Sequence, residues 1–164
     1  MTRSAVRPTD DEITNTVKSY SNMLFKLCFT MLCNRSDAED AVSDTFCRYI
    51  SKNPVFKDEE HKKAWLIRVA SNICKDKHRF NIRHSYVNLD DIQELCASEP
   101  ERGVLKEVLR LPDKYKTVIH LFYVEGYKTR EISEMLGISD AAVRKRLQYG
   151  RELLRIEHRK EDEL

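Results

Sequence analysis

Three groups of side chains in this chain have the types and spacing to do chemistry, and in each the chemistry is non-covalent. Near the C-terminus, Ala141, Arg144, Lys145, Gln148 and Tyr149 share one face of a helical pattern. Guanidinium and ammonium groups in such a row donate to guanine O6 and N7, an amide pairs with adenine, and each can equally bind phosphate. Residue type alone leaves these choices open. In the middle of the chain, Trp65, Arg68, Asn72, Asp76 and Arg79 recur along a second helical pattern. Its cations belong to one of two basic blocks, which suggest nucleic-acid contact. Third, Cys74 and His78 lie four apart and offer two metal ligands on one helix face. No second pair accompanies them, so packing is the stronger reading and no metal site is expected. There is no nucleophile–base pair, no phosphate-cradling glycine loop and no full ligand set. The chain is therefore expected not to be an enzyme, and to have no catalytic residues, no cofactor and no small-molecule substrate.

The first group is positioned by a helix-turn-helix pattern. Ile132, Met135 and Leu136 stripe a short helix from about Thr129 to Leu136. Gly137 follows, where a helix stops in the left-handed conformation. Ile138 is expected to turn back toward the core, and Ser139 to cap the next helix. There Val143, Leu147, Gly150 and Leu154 fall on one face, opposite the basic row. Such a helix buries one side and offers the other to a DNA major groove. A solvated surface hairpin is the plainer reading, and the small Ala141-Ala142 pair at the helix start argues against it.

The remaining elements read as helices too. Asp10 to Cys33 carries a stripe of Ile13, Val17, Tyr20, Leu24, Leu27, Cys28 and Met31. Ser36 and Glu39 form an S-x-x-E capping box that opens a helix from Asp37 to about Ile50, striped by Val42, Phe46, Tyr49 and Ile50. A third helix runs from about Glu59 to Phe80, with Ala64, Ile67, Ala70, Ile73 and Cys74 buried. Weak periodicity from Asn81 to Arg102, with six acidic or proline positions from Asp90 to Glu101, reads as an acidic, flexible linker. A second block opens near Gly103, breaks at Pro112 and continues as one helix from Asp113 to Val124. With four glycines and four prolines in 164 residues, the fold class is all-α. The expected domains are a flexible tail (1–9), a helical bundle (10–84), an acidic linker (85–102) and a helix-turn-helix block (103–160).

Net charge is only +2, but its distribution is uneven. His61 to His84 has a balance of +6, Gly126 to Lys160 one of +4, and Ser36 to Glu60 one of −4. Two basic blocks suggest two nucleic-acid contacts, and the acidic one a basic protein partner. The five cysteines contain no CxxC, no leader is visible, and no apolar run nears the roughly 20 residues of a membrane span. A reduced, cytoplasmic chain is expected.

KAWLIRVASNICKDKHR (Lys63 to Arg79) resembles region 2 of bacterial RNA polymerase sigma factors, in particular the extracytoplasmic-function (ECF) group of the sigma-70 family. Trp65, Leu66, Arg68, Val69, Ala70, Asn72, Asp76 and Arg79 fill the family's pattern. DAEDAVSDTF (Asp37 to Phe46) resembles the acidic helix that docks on the polymerase, and the stretch from Leu111 to Leu154 resembles region 4. The resemblance spans roughly Tyr20 to Arg155, in the family's order.

The resemblance implies an alternative sigma factor of two small helical domains joined by a linker. Its partners would be core RNA polymerase (the clamp helices of the largest subunit, and the flap), promoter DNA and an anti-sigma factor. For the −10 element it implicates Phe56, Lys62, Lys63, Trp65, Arg68, Asn72, Lys75 and Arg79, with Asn72 reading a flipped base and the loop from Asn53 to His61 walling its pocket. For the −35 element it implicates Ser139, Asp140, Ala141, Arg144, Lys145, Gln148, Tyr149 and Arg151. For the polymerase it implicates Asp37, Glu39, Asp40 and Asp44.

Plainer roles stand beside several of these. Trp65 fits a core position, Asp76 a pair with Arg79, the acidic helix a solvated face, and the linker either a tether or an RNA mimic. Departures fall at Ser43, where the family usually has Gln, at Phe122, where it often has Arg, and at Lys128, where it has a Ser or Thr cap. Thr129 is expected to cap instead. Two rival functions remain: a stand-alone DNA-binding regulator, which leaves Trp65 to Arg79 unexplained, and a zinc enzyme, for which the ligands are lacking.

Overall fold

The computed structural model describes the backbone of residues 7–80 and 99–162. The chain divides into two units, 1–84 and 85–164. Among the described residues all regular structure is helical.

Unit one is three helices: α1 (Asp10–Leu32), α2 (Arg35–Lys52) and α3 (Glu59–Phe80). Helix α1 opens on a full capping box: Thr9 Oγ1 accepts from the Glu12 N–H, and Glu12 Oε2 accepts from the Thr9 N–H. Asp10, Asp11 and Glu12 add favourable charge at the positive end of the dipole. Cys33, left-handed at φ 52, ends the helix, and the chain turns at once into α2. Each helix packs on the other two. Leu24, Leu27, Cys28 and Phe29 of α1 meet Ala38, Ala41 and Phe46 of α2 and Leu66, Ile67, Ala70, Ile73 and Cys74 of α3 in the core. Ile13, Val17 and Tyr20, expected on the same stripe, are only half-buried.

Helix α2 starts two residues earlier than the S-x-x-E pattern predicts. Asn34, extended at φ −143, is the cap, and its side chain accepts from the Asp37 N–H at 2.9 Å. Ser36 is already helical, so its box does not form. The inner face of α2 also differs. Small residues Ala38, Ala41 and Thr45 lie against the neighbouring helices, while Ile50 is exposed.

Unit two holds α4 (Glu99–Arg110), α5 (Asp113–Ile119), a π-helical turn (His120–Val124), α6 (Thr129–Leu136) and α7 (Asp140–Asp162). Two expectations change here. Helix α4 begins at Glu99 rather than Gly103, inside the stretch 85–102 expected as linker. The expected linker residues 85–98 and the tail 1–6 lie outside the described residues. The single helix from Asp113 to Val124 is instead α-helix followed by a wider turn, in which the Glu125 N–H reaches back to the His120 carbonyl and that of Tyr127 to Leu121. Lys116 to Leu121 are buried without interruption, so the segment is enclosed on all sides. That is why a 3.6-residue stripe describes it poorly. Lys116 is tolerated there because its ammonium lies 2.9 Å from Asp113.

Candidate nucleic-acid interfaces

Helix α6, the turn and α7 form as the sequence predicts. Gly137 is left-handed at φ 67, and Ser139 Oγ accepts from the Ala142 N–H at 3.1 Å. Ser133 Oγ donates to the Ile138 carbonyl and pins the turn. Ile138 itself is half-buried. Lys128, not Thr129, holds the cap position of α6; Thr129 is the first helical residue. An ammonium has no acceptor, so only the reciprocal half of a capping box is available: Glu131 Oε2 accepts from the Lys128 N–H at 2.8 Å.

Helix α7 is split between an inner and an outer face. Val143, Leu147 and Gly150 are buried, and Leu154 is half-buried. Ala141, Arg144, Lys145, Gln148, Tyr149 and Arg151 are exposed. Arg144 lies 2.9 Å from Asp140, one turn earlier, and Gln148 donates to Glu152 at 3.4 Å. Exposed pairs of this kind contribute at most ~1 kcal/mol, so both side chains can exchange partners cheaply. Tyr149 leans on Tyr115, ring centroids 6.2 Å apart. Ser139 and Asp140 occupy the helix start, with Ser139 engaged in its cap.

In unit one, the loop between α2 and α3 is held by aromatic packing. Phe56 stacks on Tyr49 at 6.3 Å and meets Trp65 edge-on at 5.8 Å and His61 at 5.5 Å. Trp65 is half-buried in this cluster, which supports the packing role weighed for it. Lys62 does not extend away from the helix; its ammonium lies over the Tyr49 ring, 5.3 Å from the centroid. Lys63 and Lys75 are half-buried, while Arg68, Asn72 and Asp76 are exposed along the outer face of α3. The Arg79 side chain lies outside the described residues, and with it the proposed Asp76 pairing.

Asn72 is not among the residues that line the cavity beside Phe56. Asn72 lies seven residues beyond Trp65, about 10 Å along the helix. The loop instead lines a cavity of about 780 Å³ that faces the N-terminal half of α1, with Glu12, Tyr20, Phe56, Glu59 and Lys62 among its walls. Sequence reasoning missed this cavity, because it depends on α1 and the loop meeting in space. Tyr20 donates to Glu59 there at 2.6 Å. Burial, then the hydrogen bond to Glu59 and the nearby charges of Glu59 and Glu60, push the Tyr20 phenol up to about 12.

On α2, Glu39, Asp40 and Asp44 are exposed and Asp37 is half-buried. Glu39 pairs with Arg35 at 3.2 Å. Cys74 and His78 are used internally. Cys74 is buried, and its hydrogen bond with Cys28, together with burial, holds its thiol well above the usual range. His78 Nε2 meets the Met31 carbonyl. Among the described residues no cluster of three metal-ligating side chains occurs.

Comparison with known proteins agrees with this layout. The family profile for sigma-70 region 2 matches residues 16–83, and that for sigma-70 region 4 matches residues 102–154. The chain is 30% identical to the ECF RNA polymerase sigma factor SigW of Bacillus subtilis, over 88% of each protein. It is 27% identical to the RNA polymerase sigma factor SigV of the same organism, over 89% of this chain and 90% of that one. Its fold is similar to that of CnrH, solved in complex with the cytosolic domain of CnrY, at a TM-score of 0.71, 23% identity and coverage of 95% and 93%. It is also similar to the sigma factor RpoE of Bartonella quintana, solved with the anti-sigma factor NepR, at a TM-score of 0.70, 16% identity and coverage of 88% and 94%. With both sigma regions matched in order and a relative at this identity over nearly its whole length, the chain belongs to the ECF group of sigma-70 family RNA polymerase sigma factors.

Proposed function

We propose that this alternative sigma factor joins core RNA polymerase and directs it to promoters by reading two separate DNA elements, one with each unit. The observation that carries the reading is the division of α7: Val143, Leu147 and Gly150 face inward, while Arg144, Lys145 and Gln148 face out. That face has the dimensions and chemistry for the major groove of the −35 element. In unit one, the exposed row of Arg68 and Asn72 on α3, with Lys63, Lys75 and Arg79 for phosphates, takes the −10 strand. Asn72 reads a flipped base there, and the Phe56–Trp65 cluster braces the loop behind it. Lys62, lying over Tyr49, must swing out to reach DNA.

Asp37, Glu39, Asp40 and Asp44 on α2 offer an acidic face to the clamp helices of the largest polymerase subunit, and unit two docks on the flap. The solved relatives held by CnrY or by NepR support an anti-sigma factor as a third partner. Residues 10–84 and 103–160 then serve as the two working regions, with α4 extending the second back to Glu99. The protein positions polymerase and performs no covalent step of its own. Among the described residues no helix is long and apolar enough to cross a membrane, and we place the protein with the polymerase in the cytoplasm.

The test is assembly with purified core polymerase. Co-elution in a stable equimolar complex supports the reading, and separate elution at micromolar concentrations contradicts it.

A further inference from the structure

We infer that Tyr123, a residue outside those assigned above, forms a phosphate clamp with Arg151 at the edge of the −35 footprint. Tyr123 lies in the π-helical turn and is 54% exposed. Arg151 Nη1 donates to its phenol oxygen at 3.2 Å, across 28 residues of sequence. The ring is held edge-on against Phe122, centroids 4.9 Å apart.

The hydrogen-bond arithmetic points outward. A phenol that accepts from Arg151 keeps its own O–H to donate. The guanidinium has five N–H donors, and this contact uses one. The pair therefore presents several donors and one positive charge, which suits an anionic oxygen.

Its location selects a backbone phosphate over a base. Arg151 is seven residues beyond Arg144, two helical turns along the same side of α7. It also flanks the buried Leu147 and Gly150, so it lies at the border of the exposed face rather than at its centre. A side chain there meets the strand at the groove wall. The π-helical turn sets the phenol beside it. Holding a long Arg side chain in one orientation before binding lowers the ordering cost of the contact.

Tyr123 is thus a positioning residue for Arg151 and a phosphate ligand in its own right. The inference rests on the −35 reading of unit two. The experiment measures promoter binding by full-length protein with core polymerase, against salt concentration, for wild type, Tyr123→Phe, Arg151→Ala and the double variant. DNA probes carry either the preferred −35 sequence or single-base changes in it.

Tyr123→Phe keeps the ring and is expected to weaken binding about threefold to tenfold, equally on every probe. Arg151→Ala weakens it further and lowers the salt slope by about 1. The double variant loses more than Arg151→Ala but less than the sum of the two single losses, because the two groups act as a coupled pair. Full affinity in Tyr123→Phe, strictly additive losses, or a changed base preference overturns the clamp while leaving the −35 reading intact. Failure of the wild-type complex to bind promoter DNA overturns both.

Discussion

Gly150 of α7 lies directly against Ile119 of α5. A β-carbon on Gly150 would sit 3.0 Å from Ile119 Cγ1 and 3.1 Å from Cδ1, with Tyr115 Cβ at 3.5 Å. The reader helix thus crosses α5 so closely that a β-carbon at this position requires Ile119 to give way by a few tenths of an ångström. Ile119 is 4% exposed and has little room to yield. In Gly150→Ala the gain in helix propensity, about 1 kcal/mol, offsets part of the crowding. Gly150→Val has no such balance and is expected to cost about 1–3 kcal/mol. Ile119→Ala in the same chain should recover part of the loss. Chemical denaturation of the four proteins checks this, and a Gly150→Val variant as stable as wild type contradicts the packing described.

Asn34 and Ser36 compete in the sequence for the role of α2 cap, and only Asn34 fills it. Asn34→Ala is expected to destabilise unit one by about 1 kcal/mol. Ser36→Ala, at an exposed helical position, should stay within about 0.5 kcal/mol of wild type. Urea midpoints of the two variants decide the matter, and the reverse ranking would restore the S-x-x-E box.

Tyr20 ties α1 to α3 through Glu59, and its phenol is raised to about 12 from 10.0. A raised value means the folded state holds the proton more tightly than the unfolded chain. The associated stability is fully present below about pH 10 and is lost as pH climbs from 10 toward 12. Wild type should therefore lose stability more steeply than Tyr20→Phe across that window. Urea denaturation at pH 9, 10 and 11 measures the difference, and parallel curves refute it.

Lys145 is exposed at the start of the reader face. If it neutralises a phosphate, Lys145→Ala weakens −35 binding on all sequences and lowers the slope of log K against log salt by about 1. If it reads a base, the loss concentrates at one position of the element. An unchanged slope together with unchanged preference excludes both contacts.

Much of this architecture was legible in the sequence, for physical reasons that differ by element. The bounds of α3 and α6 follow from clean apolar stripes, and for α6 from the left-handed glycine that ends it. The division of α7 follows from its periodicity alone. The α2 cap was misplaced because two good capping residues lie two positions apart, and only the backbone conformation at Asn34 decides between them. The π-helical turn carries no signature, since His120 looks like a surface residue and is in fact buried, as is Lys116 in the helix before it. Lys62 over Tyr49, the Tyr20–Glu59 bond and the Tyr123–Arg151 bond join residues on different elements, and no local pattern reports such pairings. The start of α4 at Glu99 was hidden by acidic residues that suit a linker and a helix N-terminus equally well.

As a sigma factor, this chain confers promoter choice on polymerase through two elements at once. Transcription of fragmented genomic DNA by core polymerase, with and without the protein, followed by mapping of RNA 5′ ends, tests it most directly. Two-element recognition gives a small set of new start sites that appear only with the protein and share two upstream sequence elements at constant spacing. Start sites indistinguishable from those of core polymerase alone would contradict it.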